Sequence, residues 1–402
     1  MTNGGGGCEA GEATRRSGRK RRLDRGSGCG TADSRRSRAA LEGLFRQFPG
    51  SGSFAPSLLA EVPFDRIEAV VGDLKKQHGA ILSVEDWHGS LVVRLDRADV
   101  PARIALDGQN RIAVLFFSPA LPVAAGLADP VGAIVALPGR TAVLVTTDGR
   151  TRAEHDADVP LAAGSAFKLA VLRAAALACD DRRLAWDRVV PLDPAWRSLP
   201  SGLLQDWPDQ TPLTVATLAN LMVSLSDNTA ADALIHLAGR AGVGALAPRN
   251  LPFLTTREAF ILKARANQGL REQWVAGGEA ERSAVLAAIA GLALPRPEEL
   301  APGVTSDVEW FFTARELASL LQETRTLPAL GINKGPVGPG PWRMVAYKGG
   351  SEPGVLNLSA LLVAGDGRQH CVVATWNNTE ALDEQRLLGP FRTLVQTLGR
   401  ER

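Results

Sequence analysis

Gly164-Ser165-Ala166-Phe167-Lys168 runs directly into Leu169-Ala170-Val171-Leu172-Arg173-Ala174-Ala175-Ala176-Leu177-Ala178, an apolar stretch near the middle of a 402-residue chain. Such a run reads as a buried helix. Ser165 then stands at its N-terminus with Lys168 one turn further on, and a spacing of three puts both side chains on one face. A lysine held against a serine in a dry pocket near a second cation has a depressed pKa and can take the serine proton as a general base. The helix N-terminus favours negative charge developing on an attacked carbonyl. By itself, a serine and a lysine three residues apart recur by chance in many chains.

Working outward, Ser226-Asp227-Asn228 follows 61 residues later and Lys348-Gly349-Gly350 lies near the end of the chain, on one of three strand patterns (343–348, 355–364 and 371–377). Strands at 142–147 and 151–155 precede the helical middle, which runs from Ser165 to about Gln322. Strands at both ends with helices between them predict one antiparallel sheet completed by distant segments. The three boxes, in this order and on these elements, resemble the SxxK, SDN and KTG boxes of class A serine β-lactamases and penicillin-binding proteins. The resemblance covers roughly residues 123–402 and implies a β-lactamase-like antiparallel sheet with a helical part, an α/β (α+β) fold. It implies that Ser165 is the nucleophile, Lys168 its base, Ser226 a proton relay and Lys348 the group that holds Lys168 and Ser226 in register and attracts the substrate's carboxylate. Asn228 would bind the substrate amide. Gly350 and Ser351 would also line the substrate site, and the backbone N–H groups of Ser165 and Ser351 would form the oxyanion hole.

Two departures bear on substrate. At Gly349 the family carries a threonine or serine whose hydroxyl meets a substrate carboxylate, and Ser351 is the nearby hydroxyl that would replace it. The family's ExxLN loop, which supplies the deacylation base, has no clear counterpart. Glu258 in Thr255-Thr256-Arg257-Glu258-Ala259-Phe260 is the candidate. The alternative is that this stretch is a helix, capped by Thr256, with Glu258 in its first turn.

Ahead of this region, residues 41–122 read as a small α+β accessory domain. It has a short helical stretch to Phe48, a helix over 63–78, and period-two strands at 91–95, 103–106 and 111–117. It contains no catalytic cluster. His78 and His88 read as surface or core histidines, with a functional role as the alternative. Placed before the second domain, it resembles the steroid-isomerase-like first domain of the two-domain β-lactamase-like proteins of clavulanic-acid gene clusters. Esterase or amidase chemistry is then as admissible as β-lactam hydrolysis.

Residues 1–40 carry ten Arg or Lys against four acidic residues, which leaves the rest of the +2 chain at about −4. They hold almost no large apolar side chains and read as a disordered basic tail. The alternative is that Arg15–Arg25 binds an anionic partner. Cys8, Cys29, Cys179 and Cys371 lack zinc-ligand spacing, and Cys179 and Cys371 sit in apolar runs as buried hydrophobes, a disulfide between them being the alternative. No cofactor and no metal are expected. The partner expected is a small-molecule acyl substrate, a β-lactam or an ester, rather than a membrane or nucleic acid.

No apolar signal segment opens the chain, and 112–137 is broken by Pro119, Pro122, Asp129 and Pro130. The expectation is a cytoplasmic protein, unless the start site is misassigned. Only His155, His236 and His370 occur in the second domain, and none accompanies a GxSxG elbow, so a Ser-His-Asp hydrolase is disfavoured. A penicillin-binding-type peptidase, a β-lactam sensor that acylates once and an idle scaffold remain the rival readings.

Overall fold

The computed structural model describes residues 29–87, 90–304, 306–338 and 342–401. Residues 1–28, with Arg15–Arg25 and Cys8, and His88 lie outside them. The first correction comes at once, because helix α1 spans Cys29–Arg46 and so takes in residues 29–40 of the expected disordered tail. Leu41, Leu44 and Phe45 are buried at helical spacing, and burial of that stripe holds the helix in place. Helix α2, Phe64–His78, contributes Ile67 and Val71 to the same core.

Both helices cover an antiparallel meander of β1 (Ile81–Trp87), β2 (Ser90–Leu95), β3 (Ala98–Leu106) and β4 (Ile112–Phe117), in that spatial order. Its inward residues Val93, Leu95, Val100 and Ile112 are buried, as the period-two pattern requires. The leading strand β1 was not legible in the sequence. Its residues Glu85 and Asp86 interrupt the alternation that marked its neighbours.

After helix α3, Ala128–Val135, come β5 (Arg140–Thr147) and β6 (Arg150–His155). The helical middle includes α4 (Lys168–Asp180), α5 (Val215–Ser224), α6 (Asn228–Ala238), α7 (Thr256–Lys263) and α8 (Ala314–Thr324). The chain then returns as β7 (Trp342–Glu352), β8 (Val355–Ala364), β9 (Gln369–Asn377) and the final helix α9 (Gln385–Arg400). The second sheet is ordered β7-β8-β9-β5-β6 with every pair antiparallel, the single sheet built from distant segments that the strand patterns predict.

Every residue of β8 is buried, because α4 and α8 pack on one face and α3 and α9 on the other. That double cover explains why its sequence is continuously apolar rather than alternating. Cys371 is buried, and both it and Cys179 are free thiols, so the disulfide alternative is excluded. Strand β7 lies at the edge of the sheet, so one side of its backbone is open to a ligand.

Candidate active site

Ser165 sits in a short 3-10 turn, Gly164–Phe167, that continues into α4, so the α-helix proper begins at Lys168. A 3-10 turn eclipses residues three apart. The Lys168 Nζ accordingly reaches the Ser165 Oγ at 3.2 Å. Gly164 has φ +49°, and a Cβ on it would lie 3.0 Å from the Ser351 N. Glycine is the residue that takes this left-handed turn without a steric penalty.

Gly350 is constrained from the other side. A Cβ there would fall on the Ala163 carbonyl and lie 2.5 Å from the Ser165 N and 2.7 Å from the Ala166 N. Absence of that atom lets the edge strand lie close against the nucleophile turn.

Lys168 is fully buried and donates to Asn228 Oδ1 at 2.6 Å, to Ser226 Oγ at 3.1 Å and to the Ser226 carbonyl. Burial pushes its pKa down to about 7, against the opposing charges of Asp227, Asp232 and Glu352. Lys348, also buried, donates to the same Ser226 Oγ at 3.0 Å. Burial, and then the charge of Lys168, hold it well below an ordinary lysine.

Ser226 is a non-glycine residue in the left-handed region, φ 58°. Such strain persists only where the surroundings over-determine it. Here the determinant is Asp227, the N-cap of α6, whose carboxylate accepts from Ala230 N at 2.8 Å, Leu203 N at 2.7 Å and Leu204 N at 3.0 Å. Asp227 is thus a positioning residue. Sequence reasoning quoted it within its box but gave it no role, since a capping function shows only once the helix start is known.

Asn228 has both ends of its amide engaged, the oxygen by Lys168 and the nitrogen by the Leu199 carbonyl at 2.9 Å. As placed, it fixes Lys168, while the resemblance implied a contact with substrate. Ser165, Ser226, Asn228, Lys348, Gly350 and Ser351 all line one cavity of about 500 Å³.

Glu258 does not join them. It is the N3 residue of α7 and forms a reciprocal capping box with Thr255, which, and not Thr256, is the cap. Its oxygens also receive Arg240 at 2.6 and 2.8 Å, and it is not in the wall of the Ser165 cavity. Thr256 is buried instead and bonds to Asp232 through both its N–H and its hydroxyl. The helical alternative for this stretch is therefore the one the structure adopts.

At Gly349 a Cβ would meet the Tyr347 hydroxyl and lie 2.9 Å from the Asn357 carbonyl. The tyrosine occupies the space where the family's threonine would stand. Among the described residues, no group of three or more His, Cys, Asp or Glu side chains is arranged to hold a metal ion, and no helix is long and apolar enough to cross a membrane.

Residues 132–273 match the model of the beta-lactamase enzyme family. No curated protein matches the chain. Among solved structures, a β-lactamase from Sphaerobacter thermophilus is 22% identical over 68% of this chain and 94% of its own, with a TM-score of 0.48. The structure of PBP-A is 14% identical over 68% of this chain and 96% of its own, with a TM-score of 0.47. A β-lactamase from Chitinophaga pinensis is 17% identical over 67% of this chain and 97% of its own, with a TM-score of 0.45. The family match over residues 132–273, on a chain that folds its three boxes around one cavity beside an antiparallel sheet, identifies a fold like that of the class A serine β-lactamases and penicillin-binding proteins.

Proposed function

We propose that the protein is a serine hydrolase that forms an acyl-enzyme through Ser165 with a small ester, amide or β-lactam. The observation that carries this reading is a fully buried lysine, its pKa brought to about 7, with its nitrogen 3.2 Å from a serine hydroxyl. At neutral pH a large share of Lys168 is unprotonated and can accept the Ser165 proton as Oγ attacks the carbonyl carbon. Negative charge on the carbonyl oxygen is met by the Ser165 and Ser351 N–H groups, which a glycine at 350 keeps together. The proton then passes through the shared Ser226 hydroxyl, where Lys348 also donates, to the leaving group.

Small esters suit the cavity better than penicillins. Position 349 offers no hydroxyl to a substrate carboxylate, and the Tyr347 hydroxyl fills its place. Glu258 is tied to Arg240 and Thr255 and supplies no deacylating base, which also supports the rival reading of a protein that acylates with little turnover. The region of residues 41–122 would act as an accessory domain.

Incubation of the purified protein with a fluorescent penicillin and with an acetyl ester, followed by intact mass over time, tests the reading. The expected result is a transient adduct on Ser165, about one per chain. A protein that never carries an adduct with either probe is not an acyl-transfer enzyme of this kind.

A further inference from the structure

We propose that Glu352 is the general base that activates water to release the acyl group from Ser165. The proposal rests on the acyl-enzyme reading above. Side chains alternate along a strand, so Lys348, Gly350 and Glu352 share one face of β7. The middle one of the three is pressed on the nucleophile, since a Cβ at Gly350 would lie 2.5 Å from the Ser165 N. Same-face neighbours stand about 6.5–7 Å apart along a strand. Lys348 and Glu352 therefore flank Ser165 on opposite sides.

The Lys348 side is occupied by the relay through Ser226 that serves acylation. The Glu352 side is open. Its side chain retains 29% exposure, and Glu352 lines the same cavity as Ser165 and Ser351. Its carboxylate lies 3.7 Å from the Lys263 Nζ, beyond hydrogen-bond length, and Lys263 is drawn instead to buried Glu309 at 2.6 Å. The carboxylate oxygens thus lie beside a cation and remain available to water.

One other carboxylate among the described residues lines the cavity, Glu384. It precedes α9, and its charge acts on Tyr347, which lies on the opposite face of β7 from Gly350. The charge of Glu352 also acts on Lys168, and Lys263 in turn feels Glu309, Glu352 and Asp307.

In the step proposed, water oxygen bonds to the acyl carbon as one of its protons moves to the Glu352 carboxylate. The tetrahedral oxyanion is held by the Ser165 and Ser351 N–H groups. On collapse, the carbon–Oγ bond breaks and the proton returns from Glu352 to Ser165 Oγ. One water is consumed, one acid is released, and both residues end as they began.

The test compares the full chain with Glu352→Gln and Glu352→Asp, using p-nitrophenyl acetate for burst kinetics and intact mass for the adduct. The Gln variant should keep the acylation burst and melting temperature of the parent, yet release acetate about 10²–10⁴-fold more slowly and accumulate adduct. The Asp variant should recover part of the release rate. A folded Gln variant that releases acetate as fast as the parent, or an Asp variant that releases it no faster than the Gln variant, overturns the assignment alone. A parent that forms no adduct overturns the acyl-enzyme reading, and this assignment with it.

Discussion

Lys168 and Lys348 donate to the same oxygen, Ser226 Oγ, at 3.1 and 3.0 Å. Two ammonium groups sharing one hydroxyl in a buried site cannot both stay charged at low cost, and burial already lowers the pKa of each. The pair is built to hold fewer than two protons at neutral pH.

The rate of acylation should follow that proton count. Burial brings the Lys168 pKa down to about 7, against the opposing charges of Asp227, Asp232 and Glu352. Below that pH Lys168 keeps its proton and cannot act as a base. Burst rates should rise about tenfold per pH unit up to roughly 7 and level off above it, as expected of a single titrating base. A burst that is flat from pH 5 to 9 would remove Lys168 as the proton acceptor.

Ser165→Ala should abolish labelling at little cost to the fold. The serine hydroxyl makes no capping hydrogen bond, so the loss should fall at or below the low end of the roughly 0.5–2 kcal/mol range for a lost cap. Peptide mapping of the variant checks this, and an adduct persisting elsewhere would reassign the nucleophile.

Glu258→Gln should lower stability and leave acyl chemistry alone. The substitution removes the charge that meets Arg240 at 2.6 and 2.8 Å, in a pair that is mostly shielded from water. A charge-assisted contact of this type is worth about 1–3 kcal/mol. Thermal melts should register that loss while adduct formation and release match the parent. Slower release with an unchanged melt would return Glu258 to the chemistry.

Gly350→Ala should do the reverse. Its methyl group would press on the Ala163 carbonyl and on the Ser165 and Ala166 N–H groups, forcing β7 away from the nucleophile. Misplacement by about 1 Å can cost about 10²-fold in rate. Burst kinetics should show that loss, and an active variant would mean that the Ser165 and Ser351 N–H groups need not meet.

Deleting residues 1–40 should destabilise the protein. The cut removes the first two-thirds of α1 and leaves Leu41, Leu44 and Phe45 on a stub too short to hold a helix. A drop of several degrees in melting temperature is expected, and an unchanged melt would show that the helix contributes nothing to the core around Val93 and Leu95.

Sequence alone determined the order of the elements, because hydrophobic periodicity and the spacing of the three boxes are local properties. The strand at 355–364, the apolar helix after Phe167, and the set Ser165, Lys168, Ser226 and Lys348 were legible for that reason. Composition misled over residues 29–40, which are polar yet helical, since their stability comes from buried residues further along the same helix.

Only the tertiary structure decided what each charge meets. Glu258 had a suitable residue type in a plausible stretch, but Arg240, 18 positions away, claims its carboxylate. Glu352 carries no motif and drew no notice in the sequence, yet the edge strand sets it across Gly350 from Lys348. The Tyr347 hydroxyl, likewise, fills the gap at Gly349 through the pleat of one strand. Electrostatics depends on distance and burial, and both are set by residues far apart in the chain.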